Sequence, residues 1–127
     1  MNKYPYSEIT RRIIKCFFEV HNILGPGFLE QPYKNALMRE FVENNLKCEA
    51  EKEIYIYYKG HLINYHRLDL IIEDKVIIEV KTVDAFHPMH EAQIIAYLKA
   101  SGKEIGLLVN FARESLKFKR YIFSLNH

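Results

Sequence analysis

The chain has 127 residues, enough for a hydrophobic core of its own, and residues 1–127 read as a single domain. It is 49% hydrophobic and 27% charged, a globular balance that argues against a disordered segment. Its 18 basic and 16 acidic residues leave a formal charge of +2, so any basic surface that meets a partner has to be local.

Residues Ser7 to about Leu24 read as a helix. Ile9, Ile13, Ile14, Phe17, Phe18, His21 and Leu24 recur at helical spacing, with Ser7 as the expected N-cap. His21 aligns with Ile14 and Phe18 and reads as a satisfied core histidine. Cys16 is not spaced with Cys48 as a metal pair. With no signal-peptide pattern, both read as free thiols of a cytoplasmic protein. Gly25-Pro26-Gly27 ends this helix, and a second is expected from about Leu29 to Asn45, with Pro32 in its first turn, where a missing N–H costs little.

The period then falls to two. "EIYIYYKGHLINYHRLDLIIEDKVIIEVKTV" is rich in Ile, Val and Tyr and is cut at Lys59-Gly60 and Glu73-Asp74-Lys75. Those cuts predict three sequential strands in an antiparallel meander. A third helix is expected from about Pro88 to Ala100, stopping at Ser101-Gly102. "EIGLLVNF" then reads as a buried strand and "LKFKRYIFSL" as an edge strand. The expected order is α-α-β-β-β-α-β-β, an α/β or α+β fold with a sheet flanked by helices. No apolar run approaches a membrane span, so no membrane contact is expected.

One apolar strand, "IIEVKTVD", carries Glu79 and Lys81 on the same face, with Cβ atoms ~7 Å apart. If the preceding turn centres on Asp74, Asp69 stands directly across from Glu79, with Cβ atoms about 5 Å apart. Two carboxylates that close repel unless a cation lies between them, and hard oxygen ligands suit Mg²⁺ or Mn²⁺. The Val80 carbonyl could add an oxygen, and Lys81 would stand where water is activated or phosphate charge develops. The plainer alternative is an exposed Glu79–Lys81 ion pair, because an isolated Glu-x-Lys is common. On the third helix Gln93 and Tyr97 share a face with His90 one turn earlier, flanking the apolar stripe of Ile94, Ile95 and Leu98. Glu30, just past the Gly-Pro-Gly elbow, is either a metal ligand or a carboxylate stabilising a helix N-terminus.

"GFLEQPY", Gly27 to Tyr33, resembles the G-x-x-E-x-x-Y signature of a small prokaryotic family placed in the PD-(D/E)XK nuclease superfamily. The resemblance runs from about Ile13 to Arg120 and includes "HNILGPGFLE", "RLDLIIEDKVIIEVKTV", "HEAQIIAYLKASG" and "IGLLVNF". It implies a restriction-endonuclease-like core with a mixed sheet. It also implies a metal site on Asp69, Glu79 and the Val80 carbonyl, with Glu30 added in some members. Lys81 is implied as a catalytic partner, and Gln93 and Tyr97 match the Gln-x-x-x-Tyr of some members. Two departures are noted: Leu68 precedes Asp69 where the superfamily name has Pro, and Ala112 follows Asn-Phe where relatives often have Gly.

The implied function is Mg²⁺-dependent hydrolysis of phosphodiester bonds in nucleic acid, DNA being the expected polymer, with Mn²⁺ able to substitute. Arg67, Lys99, Lys103 and Arg120 are candidate phosphate contacts. The rival function is a non-catalytic nucleic-acid or protein binding module that keeps the nuclease fold. So small a chain would suit a protein partner that brings it substrate.

Overall fold

In the computed structural model, which describes residues 6–124, helix α1 covers Ser7–Leu24. Ile13, Cys16, Phe17 and Val20 recur every three or four residues and are buried, so one stripe of the helix faces the sheet. The Ser7 cap is not made. Tyr6 takes the N-cap position in a left-handed conformation, and Ser7 Oγ has no hydrogen-bond partner. His21 is a satisfied core histidine, its Nε2 lying 2.7 Å from the Arg113 carbonyl.

After α1 the chain turns through Gly25-Pro26-Gly27. Gly27 sits at φ 117°, a conformation that side-chain-bearing residues rarely adopt. Helix α2 then covers Glu30–Glu43 with Pro32 in its first turn, as expected. Tyr33 is fully buried and closes the elbow, its hydroxyl donating to the Gly25 carbonyl and accepting from the Phe28 N–H at 3.3 Å. The Tyr33 ring stacks on Phe111 with centroids 4.5 Å apart.

The following segment departs from the expected three-strand meander. Strands β1 (Cys48–Ala50) and β2 (Glu53–Tyr58) run out, and β3 (His61–Arg67) and β4 (Leu70–Ile72) run back, in one register from Cys48↔Ile72 to Ile56↔Asn64. This long hairpin kinks where Glu51 adopts φ 59°, opposite Leu68-Asp69. The Leu68 N–H donates to the Lys52 carbonyl at 2.9 Å and the Glu51 N–H to the Asp69 carbonyl at 3.3 Å, so the ladder bends without coming apart. Beyond the kink, β2 and β3 leave the main sheet as a two-stranded arm.

Strand β5 (Val76–Lys81), helix α3 (Pro88–Ser101), strand β6 (Ile105–Asn110) and strand β7 (Lys117–Ile122) complete the chain. Leu125, at the end of the expected last strand, lies outside the described residues. The five-stranded sheet has the order β1-β4-β5-β6-β7. Strands β5 and β6 are parallel, joined by the α3 crossover, and the other pairs are antiparallel. Helices α1 and α2 cover one face, where Phe17, Leu37, Phe41, Ile78, Val80 and Val109 share a core. Helix α3 covers the other, packing Leu98 on Ile71 and Ile77. This is a mixed α+β fold, as the strand and helix pattern predicts, with the restriction-endonuclease-like core that the family resemblance implies and with seven strands where five were expected. Among the described residues no helix is long and apolar enough to cross a membrane.

Candidate active site

Leu70 pairs with Ile78 in the β4–β5 hairpin, so the same register carried one step further sets Asp69 opposite Glu79. The two residues interlock. The Asp69 N–H donates to Glu79 Oε2 at 2.9 Å, and the Val80 N–H donates to Asp69 Oδ2 at 2.8 Å. Each carboxylate is therefore aimed by the other strand's backbone. A strand residue directs its N–H and C=O toward the same edge, so the Val80 carbonyl also faces Asp69.

Glu79 is only 6% exposed. Burial first, then the neighbouring Asp69 charge, pushes its carboxyl up to about 8, against the pull of the Asp69 N–H, Lys81 and Lys34. The exposed Glu79–Lys81 ion pair is thereby ruled out: Glu79 is buried, and the Lys81 side chain makes no hydrogen bond or ion pair among the described residues. Lys81 is half-exposed at the C-terminal end of β5; its charge opposes the rise at Glu79 and adds to the burial that lowers the pKa of His66 and His90.

Lys34, its partner Glu51 and His66 belong to this cluster without any motif in the sequence that marks them. Lys34, one turn after Glu30 on α2, is buried and bridges Asp69 Oδ1 at 3.2 Å and Glu51 Oε1 at 2.7 Å. The (i, i+4) spacing puts Lys34 on the face that carries Glu30, a signal that could have drawn attention to it. His66 lies with Nε2 3.8 Å from Glu79 Oε1, and that nitrogen is buried without a hydrogen-bond partner. Simple alternation puts His66 and Asp69 on opposite faces of a strand. The kink at Leu68-Asp69 brings both toward Glu79.

The other expected residues are distributed unevenly. Tyr97 is half-buried and stacks on His66, centroids 3.9 Å apart and planes 15° apart, so it holds the histidine against Glu79. Gln93 is exposed on α3 and makes no side-chain hydrogen bond among the described residues. His90 closes a capping box, its Nδ1 accepting from the His87 N–H at 3.0 Å. Burial lowers the His90 pKa, as do the charges of Lys81 and His87, while the Glu30 carboxylate raises it. Glu30 thus stands within electrostatic reach of this end of α3. Of the candidate phosphate contacts, Arg67 pairs with Glu53 at 3.6 Å. Lys103 pairs with Asp74 at 3.3 Å, in the turn five residues or ~17 Å along β5 from Glu79, which removes it from the cluster. Lys99 is exposed on the last turn of α3 and Arg120 is exposed on β7.

Among the described residues no three His, Cys, Asp or Glu side chains converge as a ready metal cage, so Glu30 is not gathered with Asp69 and Glu79 into a three-ligand group. The donors that do converge are two carboxylates and one backbone carbonyl. That set fits an ion of the Mg²⁺ type, which is held by one or two carboxylates and completes its shell with water and substrate phosphate. The close approach of the two carboxylates, with the Asp69 N–H on Glu79 and the Val80 N–H on Asp69, sets up a repulsion that a cation would offset.

Fold and site define a nuclease-like core with an acidic centre at the carboxyl end of a central strand. The PD-(D/E)XK nuclease superfamily model matches residues 7–121, and the chain belongs to that superfamily. The solved structure of a protein designated SSO0001 is similar, at 24% identity and TM-score 0.59 over 94% of this chain and 60% of that one. An alkaline exonuclease from Laribacter hongkongensis, LHK-Exo, is similar at 12% identity and TM-score 0.53, covering 96% of this chain and 72% of that one. This chain thus spans three-fifths of the length of the first. No curated protein sequence matches it.

Proposed function

We propose that the protein is a divalent-metal-dependent nuclease that hydrolyses phosphodiester bonds in nucleic acid, with DNA as polymer and Mg²⁺ as ion, Mn²⁺ substituting. The observation that carries this is the interlocked Asp69–Glu79 pair with Lys81 unpaired on the same strand face. The family match and an exonuclease among the similar folds support it. The "GFLEQPY" motif supports a place in the prokaryotic GxxExxY group, because its Tyr33 closes the elbow from which Glu30 projects. The free thiols Cys16 and Cys48 suit a cytoplasmic enzyme.

Asp69, Glu79 and the Val80 carbonyl would hold the ion, and Glu30 adds negative charge nearby. When bound, the ion supplies positive charge at the phosphoryl oxygens and lowers the cost of deprotonating water. The chain's own groups do the rest. Lys81 holds the attacking water and meets the negative charge that develops on the phosphate. Lys34 fixes Asp69 by one oxygen, leaving the carboxylate's orientation set before any substrate arrives. Tyr97 and His66, stacked together, wall the site on the α3 side and keep water away from Glu79. Gln93, exposed one turn before Tyr97, is free to meet substrate.

The test is cleavage of labelled duplex, single-stranded and branched DNA in Mg²⁺ and Mn²⁺ by wild type and Lys81→Met. Lys81 is not an ion ligand, so its loss should lower turnover by ~10²–10³-fold, as loss of one preorganised charge does, while ion binding survives. Lys81→Arg should rescue poorly, because a planar guanidinium does not replace a compact ammonium. Equal cleavage by wild type and Lys81→Met would remove Lys81 from the mechanism and point to a contaminant. Absence of cleavage by wild type on every substrate would favour the binding-module reading or an enzyme that needs a protein partner to bring its substrate.

A further inference from the structure

A second feature lies at the same end of the sheet. The β5–α3 loop and the start of β7 enclose a cleft of about 440 Å³, within the range of about 300–1,000 Å³ common for ligand sites. It is lined by Asp84, Phe86, Arg113, Lys117, Phe118 and Lys119 among others. Three of these are cations and one is an acid. Lys119 is committed to Glu91 at 2.9 Å, but the Lys117 side chain makes no hydrogen bond or ion pair among the described residues. Arg113 spends one N–H on the Asp84 carbonyl, at 3.4 Å.

The cleft is built by a buried side chain. Asn110 is 1% exposed. Its Oδ1 accepts from the Val83 N–H and the Ala112 N–H, both at 3.1 Å, and its Nδ2 donates to the Val83 carbonyl at 2.8 Å. One residue thus staples the loop after β5 to the loop after β6, and His21 pins the second loop through the Arg113 carbonyl. Phe86 stands edge-on to His90 on the side toward the acidic centre, centroids 6.5 Å apart. Register places the cleft against that centre: Lys81 pairs with Asn110 and Asn110 with Lys117, so the three residues share a sheet face. Two strand spacings put the Cα atoms of Lys81 and Lys117 ~10 Å apart.

We propose that this cleft binds the unpaired nucleotide next to the scissile phosphate of a nucleic-acid strand, with Phe86 stacking the base and Lys117 and Arg113 holding the adjacent phosphate. This deepens the nuclease reading and rests on it, because the strand's next phosphate then falls at Lys81. Three features select the ligand. An aromatic face accepts any unpaired base, free cations accept phosphate, and a base paired in a duplex offers no open face to Phe86. The substrate class is therefore a single strand or a frayed end.

The test measures binding and cleavage separately on the full chain. Binding of a fluorescein-labelled oligothymidylate is followed by anisotropy in EDTA across a salt series, with thymidine monophosphate as competitor. Phe86→Ala should weaken binding about 5- to 150-fold, as loss of one base stack does, with the salt slope unchanged. Arg113→Gln with Lys117→Gln should weaken binding and reduce the log–log salt slope by about 0.7, for one neutralised phosphate on a single strand. All three positions are at least partly exposed, and circular dichroism melts verify that the variants fold. Wild-type affinity and slope in both variants overturn the inference. So does failure of wild type to bind the strand, and so does thymidine monophosphate binding as tightly as the strand, which would make the occupant a free nucleotide. Cleavage by wild type with unaltered KM in the cleft variants overturns this inference and leaves the nuclease reading standing. Strand binding that depends on the cleft, in a wild type that cleaves nothing, upholds the cleft and overturns the nuclease reading.

Discussion

Burial strips Glu79 of water and the Asp69 carboxylate repels it, so the pair persists because the Asp69 N–H holds Glu79, while the Val80 N–H and Lys34 hold Asp69. The Asp69–Glu79 pairing was legible in the sequence, because antiparallel register is arithmetic: a turn centred on Asp74 makes them equidistant. Lys34 was not legible, because the approach of α2 to β4 is tertiary packing that no local pattern encodes. Lys34→Met should destabilise the metal-free protein by about 1–3 kcal/mol. That is less than the roughly 3–5 expected for a fully buried pair, because Glu51 is half-exposed and Asp69 keeps some solvent. Urea unfolding in EDTA measures it, and a loss under half a kcal/mol would mean that Lys34 is a bystander. The thiols are a second residue-scale case. Burial raises Cys16 and Cys48 from 9.0 to about 11, aided by nearby carboxylates. A raised thiol pKa means that the folded form keeps its proton while the unfolded chain loses it, so stability is intact below about pH 9 and declines as pH rises toward 11. At pH 8 the folded thiols should alkylate with iodoacetamide about a hundredfold more slowly than in urea.

Periodicity located most elements, and their failures are instructive. Helix α1 and the breaks at Gly25-Pro26-Gly27, Lys59-Gly60 and Gly102 lie where the pattern put them. Strand β1 was missed because "CEA" is three residues long and carries no period. Period two marks the β2–β3 arm as strand without saying what covers it, so the pattern alone places the arm in the sheet. Tyr57, Tyr58, Leu62 and Ile63 are all more than half exposed. No local rule marks the kink that separates the arm, since Glu51 is not a residue type that favours φ 59°. The α3–β6 contact depends on Gly106. A Cβ there would lie 2.8 Å from Ile94 Cδ1 and 2.9 Å from Ile94 Cγ1. Gly106→Ala should therefore destabilise by about 1–3 kcal/mol through overpacking, the lower end applying if Ile94 changes rotamer. Because α3 also carries Tyr97, displacement of the helix should disturb the His66 stack. Thermal melts and the His66 ring resonances would report both effects, and an unchanged melt would show that α3 has slack.

At the scale of the molecule, the sheet gathers what the sequence scatters. Helix α2 delivers Lys34, with Glu30 one turn earlier, the kink of the long hairpin delivers Asp69, β5 delivers Glu79 and Lys81, and α3 delivers Tyr97. The helices and strands were readable one by one. Their convergence was legible only through the family resemblance, because nothing local orders the strands β1-β4-β5-β6-β7. The convergence sets one global expectation. A divalent ion that binds the folded centre and not the dispersed residues of the unfolded chain stabilises the fold by mass action. The gain is about 2.7 kcal/mol at a hundredfold excess over its dissociation constant. Mg²⁺ or Mn²⁺ should raise the melting temperature of wild type, and the shift should vanish in Asp69→Asn and Glu79→Gln. It should survive in Lys81→Met, whose side chain is not a ligand, and in the Lys117→Gln cleft variant, which lies two strands away. Lys34→Met gives the sharpest contrast. With its resident cation gone, Asp69 should gain more from the ion, so the divalent-dependent shift should exceed that of wild type even though the metal-free melt begins lower. Calorimetric scans at matched ionic strength, with Na⁺ replacing the divalent salt in the control, separate specific binding from screening. Equal shifts in wild type and Asp69→Asn would mean that the ion binds elsewhere, and no shift in wild type at millimolar ion would remove the metal centre from the proposed chemistry.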